Sequence, residues 1–197
     1  MFTGIIESLG EVKQIRQEGS NVHFSIASSI SAELKIDQSV SHNGVCLTVI
    51  HIKDDCHECI VVPETLSKTN FRNLAQDDFI NLERAMIVGD RFDGHFVQGH
   101  IDCTSILVDS ILDQSVKEFY FEIPESYKNH IVARGSITIN GVSLTIADVL
   151  ENKFKVAIIP YTYDHTNFNK LKLGDHVNLE FDMIGKYILR FLENRNM

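Results

Sequence analysis

Two residues with reactive side chains, Cys46 and Ser143, occupy the same place in a repeated motif. The motif reads Asn-Gly-Val-Cys-Leu-Thr-Val at residues 43–49 and Asn-Gly-Val-Ser-Leu-Thr-Ile at residues 140–146, an offset of 97 residues (140 minus 43). A free cysteine is ionised to a few per cent at neutral pH, whereas a serine hydroxyl is far harder to ionise. The two copies therefore place different chemistry at equivalent positions.

Two further pairs of positions differ because the second copy gains a titratable group. His100 stands where the first copy has Ile5, and Asp182 stands where it has Ala85. A histidine with an ordinary pKa near 6.5 suits proton transfer. Gain of such groups in one copy indicates a single active centre on a duplicated scaffold, although His100 could equally be structural and Cys46 a small packed residue.

The repeat extends over most of the chain and predicts two small domains. Pro63-Glu64-Thr65 returns as Pro160-Tyr161-Thr162, and Asn81-Leu82-Glu83 returns as Asn178-Leu179-Glu180, at the same offset. A period this long suits a domain of roughly 90 residues rather than a solenoid unit. We expect domains at residues 1–90 and 91–184, followed by a tail at 185–197 that lies outside the repeat.

Most of each copy is predicted to be β-strand, so the fold class is all-β. Val45, Leu47 and Val49 alternate with polar residues, which places Cys46 on the face opposite the core. Asn-Gly at the start of each motif favours a two-residue type I′ hairpin turn. Many short strands in a domain of this size indicate a closed Greek-key barrel, since closure removes exposed edges.

Helices are expected at two kinds of place. Apolar residues four apart predict one short helix per copy, around Ile30–Leu34 and Tyr127–Ile131. The tail predicts an amphipathic helix whose apolar face must pack on its own barrel or, slightly favoured, on another subunit. The residues of that face are Ile184, Tyr187, Ile188, Phe191 and Leu192.

Composition limits the classes of partner. The net charge of −9 argues against nucleic acid, and no apolar run is long enough for a membrane span. Four cysteines without a secretory signal favour a reducing cytoplasm. Cys56 and Cys59 form a solitary Cys-x-x-Cys, interpreted as an inert hairpin tip rather than a zinc site, and no phosphate-binding loop is present. We therefore expect neither a metal nor a cofactor.

The motifs, taken in order along the whole chain, closely resemble the riboflavin synthase family. They are Met1–Glu7, Asn43–Val49, Pro63–Thr65, Ile80–Ala85, Gly94–Asp102 and Gly141–Thr145. The resemblance implies two six-stranded antiparallel Greek-key barrels and a C-terminal helix that helps to build a homotrimer. It also implies the dismutation of two molecules of 6,7-dimethyl-8-ribityllumazine to riboflavin and 5-amino-6-(D-ribitylamino)uracil. Association with lumazine synthase is left open.

The resemblance further implies that each barrel binds one lumazine and that the site forms between the N-terminal barrel of one subunit and the C-terminal barrel of another. Cys46, His100, Ser143 and Asp182 are the expected catalytic residues. The expected N-terminal pocket comprises Gly4, Ile5, Ile6, Cys46, Leu47, Thr48, Ile60, Val61, Val62, Pro63, Glu64 and Thr65. The expected C-terminal pocket comprises Gly99, His100, Ile101, Arg134, Ser143, Leu144, Thr145, Ile158, Ile159, Pro160, Tyr161, Thr162 and Tyr163.

Two residues depart from the family pattern, and one rival function exists. Arg134 replaces a pocket lysine, which keeps the charge but changes the donor geometry, and Asp93 stands where a second glycine is expected. Lumazine- and flavin-binding antenna proteins share the duplicated fold and do no chemistry, but they lose parts of the reactive set. All four expected catalytic residues are present here, which favours the enzyme.

Overall fold

The computed structural model describes residues 1–114 and 116–195 and contains two closed six-stranded antiparallel barrels. The first barrel has the strand order β1-β2-β5-β4-β3-β6, so β3 is not the sheet neighbour of β2 and the connection is a Greek-key crossover. Its strands are β1 (Ser8–Glu18), β2 (Asn21–Ala27), β3 (Ser39–His42), β4 (Val45–Lys53), β5 (Cys56–Val61) and β6 (Phe79–Arg84). The predicted barrel fold is confirmed.

The second barrel repeats the first strand for strand. Its strands are β7 (Cys103–Leu112), β8 (Lys117–Glu122), β9 (Ser136–Ile139), β10 (Val142–Val149), β11 (Lys153–Ile158) and β12 (His176–Phe181). The connection from β8 to β9 is two residues longer than the one from β2 to β3, so the offset between the copies is 95 residues before it, as from Ile5 to His100, and 97 after it. β-Bulges fall at equivalent places, between Val12 and Gln14 and between Leu107 and Asp109, where they bend the strands for closure.

The hairpins that carry Cys46 and Ser143 turn as the sequence predicts. His42 pairs with Val45 across the two-residue loop, where Asn43 and Gly44 have φ angles of 48° and 82°. In the second barrel Asn140 and Gly141 have φ angles of 47° and 82°. Positive φ at both positions is what a type I′ turn requires, and it sets the register of the strand that follows.

Each barrel has its own hydrophobic core. Val45, Leu47 and Val49 are buried in the first core, whereas Cys46 is half-buried and Thr48 is exposed, as the alternation predicts. The hairpin tip lies at Asp54 and Asp55, within the predicted polar stretch 53–55, but the interpretation of Cys56–Cys59 as an inert loop is wrong. These residues open β5, and the turn before them leaves Cys59 in the core, where burial raises the pKa of its thiol far above the ordinary value.

The predicted helix in each copy is wrong in kind, although its apolar residues are buried or partly buried. Around Ile30–Leu34 and Tyr127–Ile131 the chain forms 3-10 turns at Ser31–Glu33 and Glu125–His130. A short α-helix instead begins at each repeated proline, as α1 (Pro63–Lys68) and α2 (Pro160–His165). Proline suits the first helical position because its missing N–H would have no intrahelical partner there.

The predicted tail helix is present as α3 (Met183–Arg195) and begins two residues earlier than expected. Residues 196 and 197 of the predicted tail lie outside the described residues. The five residues of its apolar face are all exposed in the single chain, and Phe191 is 61% exposed. No helix in the described residues is long and apolar enough to cross a bilayer.

Asparagine side chains from both barrels meet where the barrels join. Asn81 Nδ2 donates to Asn140 O at 2.9 Å, and its repeat equivalent, Asn178 Nδ2, donates to Asn43 O at 2.8 Å. Asn167 Nδ2 also donates to Asn43 Oδ1 at 3.1 Å. These hydrogen bonds tie the turns that precede Cys46 and Ser143 to the opposite barrel.

Candidate functional site

Ser143 lies at the start of β10 beside a buried histidine. His95 Nδ1 and Ser143 Oγ share a hydrogen bond of 2.7 Å, and His95 Nε2 shares one of 3.1 Å with Thr138 Oγ1 on β9. Both hydroxyls can donate or accept, so the imidazole can exchange a proton with either. The arrangement of a hydroxyl against a neutral imidazole is one that can activate an oxygen as a base or nucleophile.

The protonation of His95 is set by burial. Its side chain is only 8% exposed, and desolvation lowers the pKa of His95, while the negative charge of Asp182 acts in the opposite direction. His95 is therefore uncharged at neutral pH and free to accept a proton. The Asp182 carboxylate would stabilise the imidazolium once the proton had arrived.

Cys46 lies on the equivalent face of the first barrel, against a segment from the second half of the chain. Its backbone N–H donates to Gly99 O at 2.8 Å. Gly99 has a φ of +81°, and a Cβ atom at this position would lie 2.6 Å from Cys46 Cβ. Only glycine fits this conformation and this approach, which brings the backbone that directly precedes His100 against Cys46.

An equivalent contact occurs at Ser143. The segments that precede the first strand of each copy, residues 4–6 and 99–101, therefore each contact the barrel of the other copy. Ser143 N donates to Gly4 O at 2.8 Å, Ile6 packs on the core of the second barrel, and Ile101 packs on the core of the first. The predicted grouping of Gly4–Ile6 with Cys46, and of Gly99–Ile101 with Ser143, is therefore wrong. Directly before these segments, Phe2 and Val97 pair as an isolated antiparallel β-bridge.

Two buried glutamates hold these crossing segments. Glu83 Oε1 accepts from Thr3 N at 2.7 Å and Oε2 accepts from Gly4 N at 2.9 Å. Glu180, the repeat equivalent, accepts from Gln98 N at 2.7 Å and Gly99 N at 2.9 Å. The backbone beside each reactive residue is thus fixed by a carboxylate from the barrel to which that residue does not belong.

Several predicted substrate-binding residues do not present their side chains to the outer face. Leu47, Val61 and Ile158 are buried in the cores, so only their backbones can contribute. The residues whose side chains are half-buried or exposed include Thr48, Ile60, Val62, Pro63, Glu64 and Thr65 in the first copy. In the second copy they include Leu144, Thr145, Ile159, Pro160, Tyr161, Thr162 and Tyr163.

Arg134 and the concavities of the chain lie to the side of the reactive residues. Arg134 is exposed in a turn with a φ of 66°, and its N–H donates to Ile146 O at 2.8 Å. A concavity of about 850 Å³ is lined by residues that include Ile5 and Arg84, and one of about 360 Å³ lies between Asp182 and α3. Neither of these two concavities is lined by Cys46 or Ser143, which are both half-buried in the single chain.

The sequence analysis did not predict the positions of three buried histidines, His95 and the pair His42 and His57. His95 lies in the join between the copies, where comparison of the repeats assigns it no partner. His42 and His57 form a buried pair where the second copy has Ile139 and Phe154. Comparison of the repeats at these two positions would have found that pair. Within residues 1–114 and 116–195, no three His, Cys, Asp or Glu side chains are arranged to bind a metal.

Comparison with known proteins agrees with the duplicated architecture. Residues 3–85 and 98–182 each match the Lumazine binding domain family. The chain is 38% identical over 193 residues to the riboflavin synthase of Actinobacillus pleuropneumoniae, with 98% of this chain and 90% of that protein covered. It is 38% identical over 198 residues to the riboflavin synthase of Bacillus subtilis (strain 168), with 100% and 92% covered.

Solved structures share the fold. LumP complexed with 6,7-dimethyl-8-(1'-D-ribityl) lumazine superposes with a TM-score of 0.84 at 23% identity, and LumP complexed with riboflavin with a TM-score of 0.87 at 24% identity. Each comparison covers 92% of this chain and 99% of the other. Because both halves match the domain family and full-length relatives are 38% identical, the chain belongs to the riboflavin synthase family.

Proposed function

We propose that the chain catalyses the dismutation of two molecules of 6,7-dimethyl-8-ribityllumazine. A four-carbon unit passes from one lumazine to the other, giving riboflavin and 5-amino-6-(D-ribitylamino)uracil, the last step of riboflavin biosynthesis. The two products together contain the same atoms as the two substrates, so the reaction itself requires no oxidant, reductant or cofactor. The full-length relatives named riboflavin synthase support this proposal.

The observation that carries the proposal is the pair of equivalent faces with different reactive groups. Thr48 and Thr145 are exposed two residues after Cys46 and Ser143, and the apolar side chains of Val62 and Ile159 are exposed before α1 and α2. A flat heteroaromatic ring suits such an apolar surface, and the threonines offer hydrogen bonds to its edge. Two related faces can hold two copies of one substrate, and orientation of this kind supplies several kcal/mol of the barrier.

The hydrogen bond between Ser143 and His95 suits the first proton transfer. The 7-methyl group of the donor lumazine is a carbon acid and must lose a proton to a base. In our assignment Ser143 Oγ takes that proton as its own passes to the neutral His95, and Asp182 stabilises the resulting charge. His95 acts through Ser143 and is not itself in contact with the substrate.

The face of Cys46 suits the acceptor lumazine. Cys46 is half-buried, and in the described residues its thiol has no hydrogen bond to a carboxylate or ammonium group. His100 directly follows Gly99, the glycine that packs against Cys46. We assign Cys46 to addition at the acceptor ring, or to a hydrogen bond with the group that adds, and His100 to proton relay.

In our proposal assembly completes this site, because Cys46 and Ser143 are only half-buried in one chain. The exposed apolar face of α3 supports a homotrimer in which the N-terminal barrel of one subunit meets the C-terminal barrel of another. Lys186 anchors α3 to its own barrel through an ion pair with Asp102 at 2.8 Å, which leaves the apolar face for a neighbour.

The free cysteines favour a reducing cytoplasm. Association with lumazine synthase rests on family resemblance and is tested by co-elution.

A binding protein without activity is the second candidate, because LumP shares the fold. The two candidates are separated by incubating the protein with 6,7-dimethyl-8-ribityllumazine alone and following riboflavin absorption. We expect riboflavin to appear in proportion to enzyme concentration, with one uracil product for each riboflavin. Tight binding of lumazine without riboflavin formation would favour the binding protein.

A further inference from the structure

Glu180 is a buried carboxylate whose hydrogen-bond partners are backbone amides. Its side chain is 1% exposed; Oε1 accepts from Gln98 N at 2.7 Å, and Oε2 accepts from Gly99 N at 2.9 Å and His100 N at 3.2 Å. These three consecutive amides lie outside the strands and would otherwise have no partner in the sheet. The carboxylate therefore replaces a strand as the acceptor for this segment.

The charge on Glu180 carries a cost. Desolvation raises the pKa of Glu180, and the hydrogen bonds from Gln98 and Gly99 act against that effect. Of the nearby charges, Lys186 favours the carboxylate and Asp102 opposes it. An apolar residue at this position would avoid the cost but would leave the three amides, of which that of Gly99 is buried, without this acceptor. The benefit of the carboxylate is the fixed position of residues 98–100.

That position matters because residues 98–100 touch the opposite barrel at a reactive residue. Gly99 O accepts from Cys46 N, and the closeness of Gly99 to Cys46 Cβ leaves no room for a side chain. His100 follows at once, with its backbone N–H bound by Glu180 and its side chain exposed. Residues 98–100 therefore link a carboxylate in the second barrel to the backbone N–H and Cβ of Cys46 in the first.

The geometry points to Glu180 as a positioning residue for the reaction, one that holds His100 against the face of Cys46. This inference rests on the proposed function. Glu180 does not touch the substrate and acts through the backbone of residues 98–100. Displacement of a catalytic group by about 1 Å can cost on the order of 100-fold in rate, so this hold is a kinetic requirement as well as a structural one.

The repeat supplies a matched control in Glu83. Its side chain is 4% exposed and it binds Thr3 and Gly4 as Glu180 binds Gln98 and Gly99. The segment that it holds carries Ile5 where the other carries His100, and it touches Ser143 instead of Cys46. Loss of Glu83 should therefore lower turnover through Ser143 and should not act through His100.

The test is a double-mutant cycle on the full chain. Glu180→Gln keeps the size of the side chain but replaces one accepting oxygen by an NH2 group, which cannot accept from the backbone N–H groups of residues 98–100. We therefore expect turnover to fall on the order of 10-fold or more. Riboflavin affinity, measured by ligand fluorescence, should stay within a few-fold. Combined with His100→Gln, Glu180→Gln should add less than about 3-fold to the loss caused by His100→Gln alone, because both remove one function. In contrast, the effects of Glu83→Gln and His100→Gln should multiply.

Two results would overturn the inference. Unchanged turnover in Glu180→Gln would do so, as would effects of Glu180→Gln and His100→Gln that multiply like those of the Glu83 control. If Glu180→Gln does not fold, the same cycle is run with Glu180→Asp, which keeps the charge but retracts it from the amides. Absence of turnover in the unsubstituted chain would instead contradict the proposed function, and the positioning role with it.

Discussion

The Nε2 atoms of His42 and His57 lie 2.8 Å apart inside the N-terminal barrel. His42 Nδ1 is 3.0 Å from Val40 O, which can only accept, so Nδ1 carries the proton and Nε2 accepts from His57. His57 Nδ1, 2.8 Å from Ser31 Oγ, must then accept from that hydroxyl. With both rings neutral, every ring nitrogen has a complementary partner, whereas protonation of both rings would set two N–H donors against each other at the Nε2 atoms.

This pair predicts a loss of stability in mild acid. Burial, with the neighbouring His57, lowers the pKa of His42 to about 3, and burial lowers the pKa of His57 to about 4. In the unfolded chain both histidines take up protons as the pH falls below their ordinary pKa near 6.5, whereas in the folded chain they stay neutral. The full free energy of unfolding is therefore present above pH 6.5, and part of it is lost as the pH falls towards 4. Between pH 6 and 5 the free energy of unfolding should fall by roughly 2 kcal/mol, measured by urea denaturation.

The second copy provides the control for this prediction. His42→Ile with His57→Phe installs the residues that stand at the equivalent positions, Ile139 and Phe154, and should reduce the dependence on pH. Glu83 and Glu180 act in the opposite sense, because burial raises the pKa of each, and they remain in both proteins. An equal acid slope in wild type and double variant would show that the histidine pair is not responsible.

Exchange of the reactive residues tests whether the two faces differ in role. Cys46→Ser keeps the size and hydrogen bonding of the side chain but removes a titratable thiol, so turnover should fall on the order of 10-fold or more, while riboflavin affinity should change only a few-fold. Cys56→Ser, at a half-buried thiol elsewhere on the first barrel, should leave steady-state turnover unchanged. If Cys46→Ser retains near wild-type turnover, orientation of the substrates must carry the catalysis on that face.

Replacement of His95 tests the proton path through Ser143. His95→Gln can still hydrogen-bond to Ser143 but cannot accept its proton, so kcat should fall on the order of 10-fold or more, with KM little changed. His51→Gln, at an exposed histidine of the first barrel, is the matched control and should behave as wild type. The proposed relay would be wrong if His95→Gln and wild type shared one kcat and one pH–rate profile.

Charge on the apolar face of α3 should prevent assembly. Ile188→Asp with Phe191→Asp places two carboxylates where we expect a buried contact between subunits, so light scattering should report a smaller mass and turnover should fall with it. Glu193→Gln, at an exposed position of the same helix, should leave the mass unchanged. A fully active monomer would contradict both the role of α3 and a site shared between subunits.

The sequence by itself determines the duplication, the class of fold and the positions of the reactive pair. Residues 43–49 and 140–146 match because the same local rules act in both copies. Asn-Gly needs positive φ at the turn, and strict alternation along β4 and β10 separates the core from the face of Cys46 and Ser143. These rules depend only on near neighbours in the chain, so they can be read without a structure.

Local patterns were less reliable for short helices. Ile30 and Leu34 have helical spacing and are both buried, but the segment between them forms a 3-10 turn. The helices α1 and α2 begin at prolines in segments that carry no clear apolar periodicity. The spacing of apolar residues therefore does not by itself locate the short helices of this chain.

Only the tertiary structure decided which residues share a face. Gly99 lies against Cys46 and Gly4 against Ser143, the reverse of the grouping that sequence order suggests. His95 reaches Ser143, and Glu180 reaches His100, across separations of 48 and 80 residues. Such contacts follow from how two closed barrels pack on each other, and no local periodicity in the chain encodes that packing.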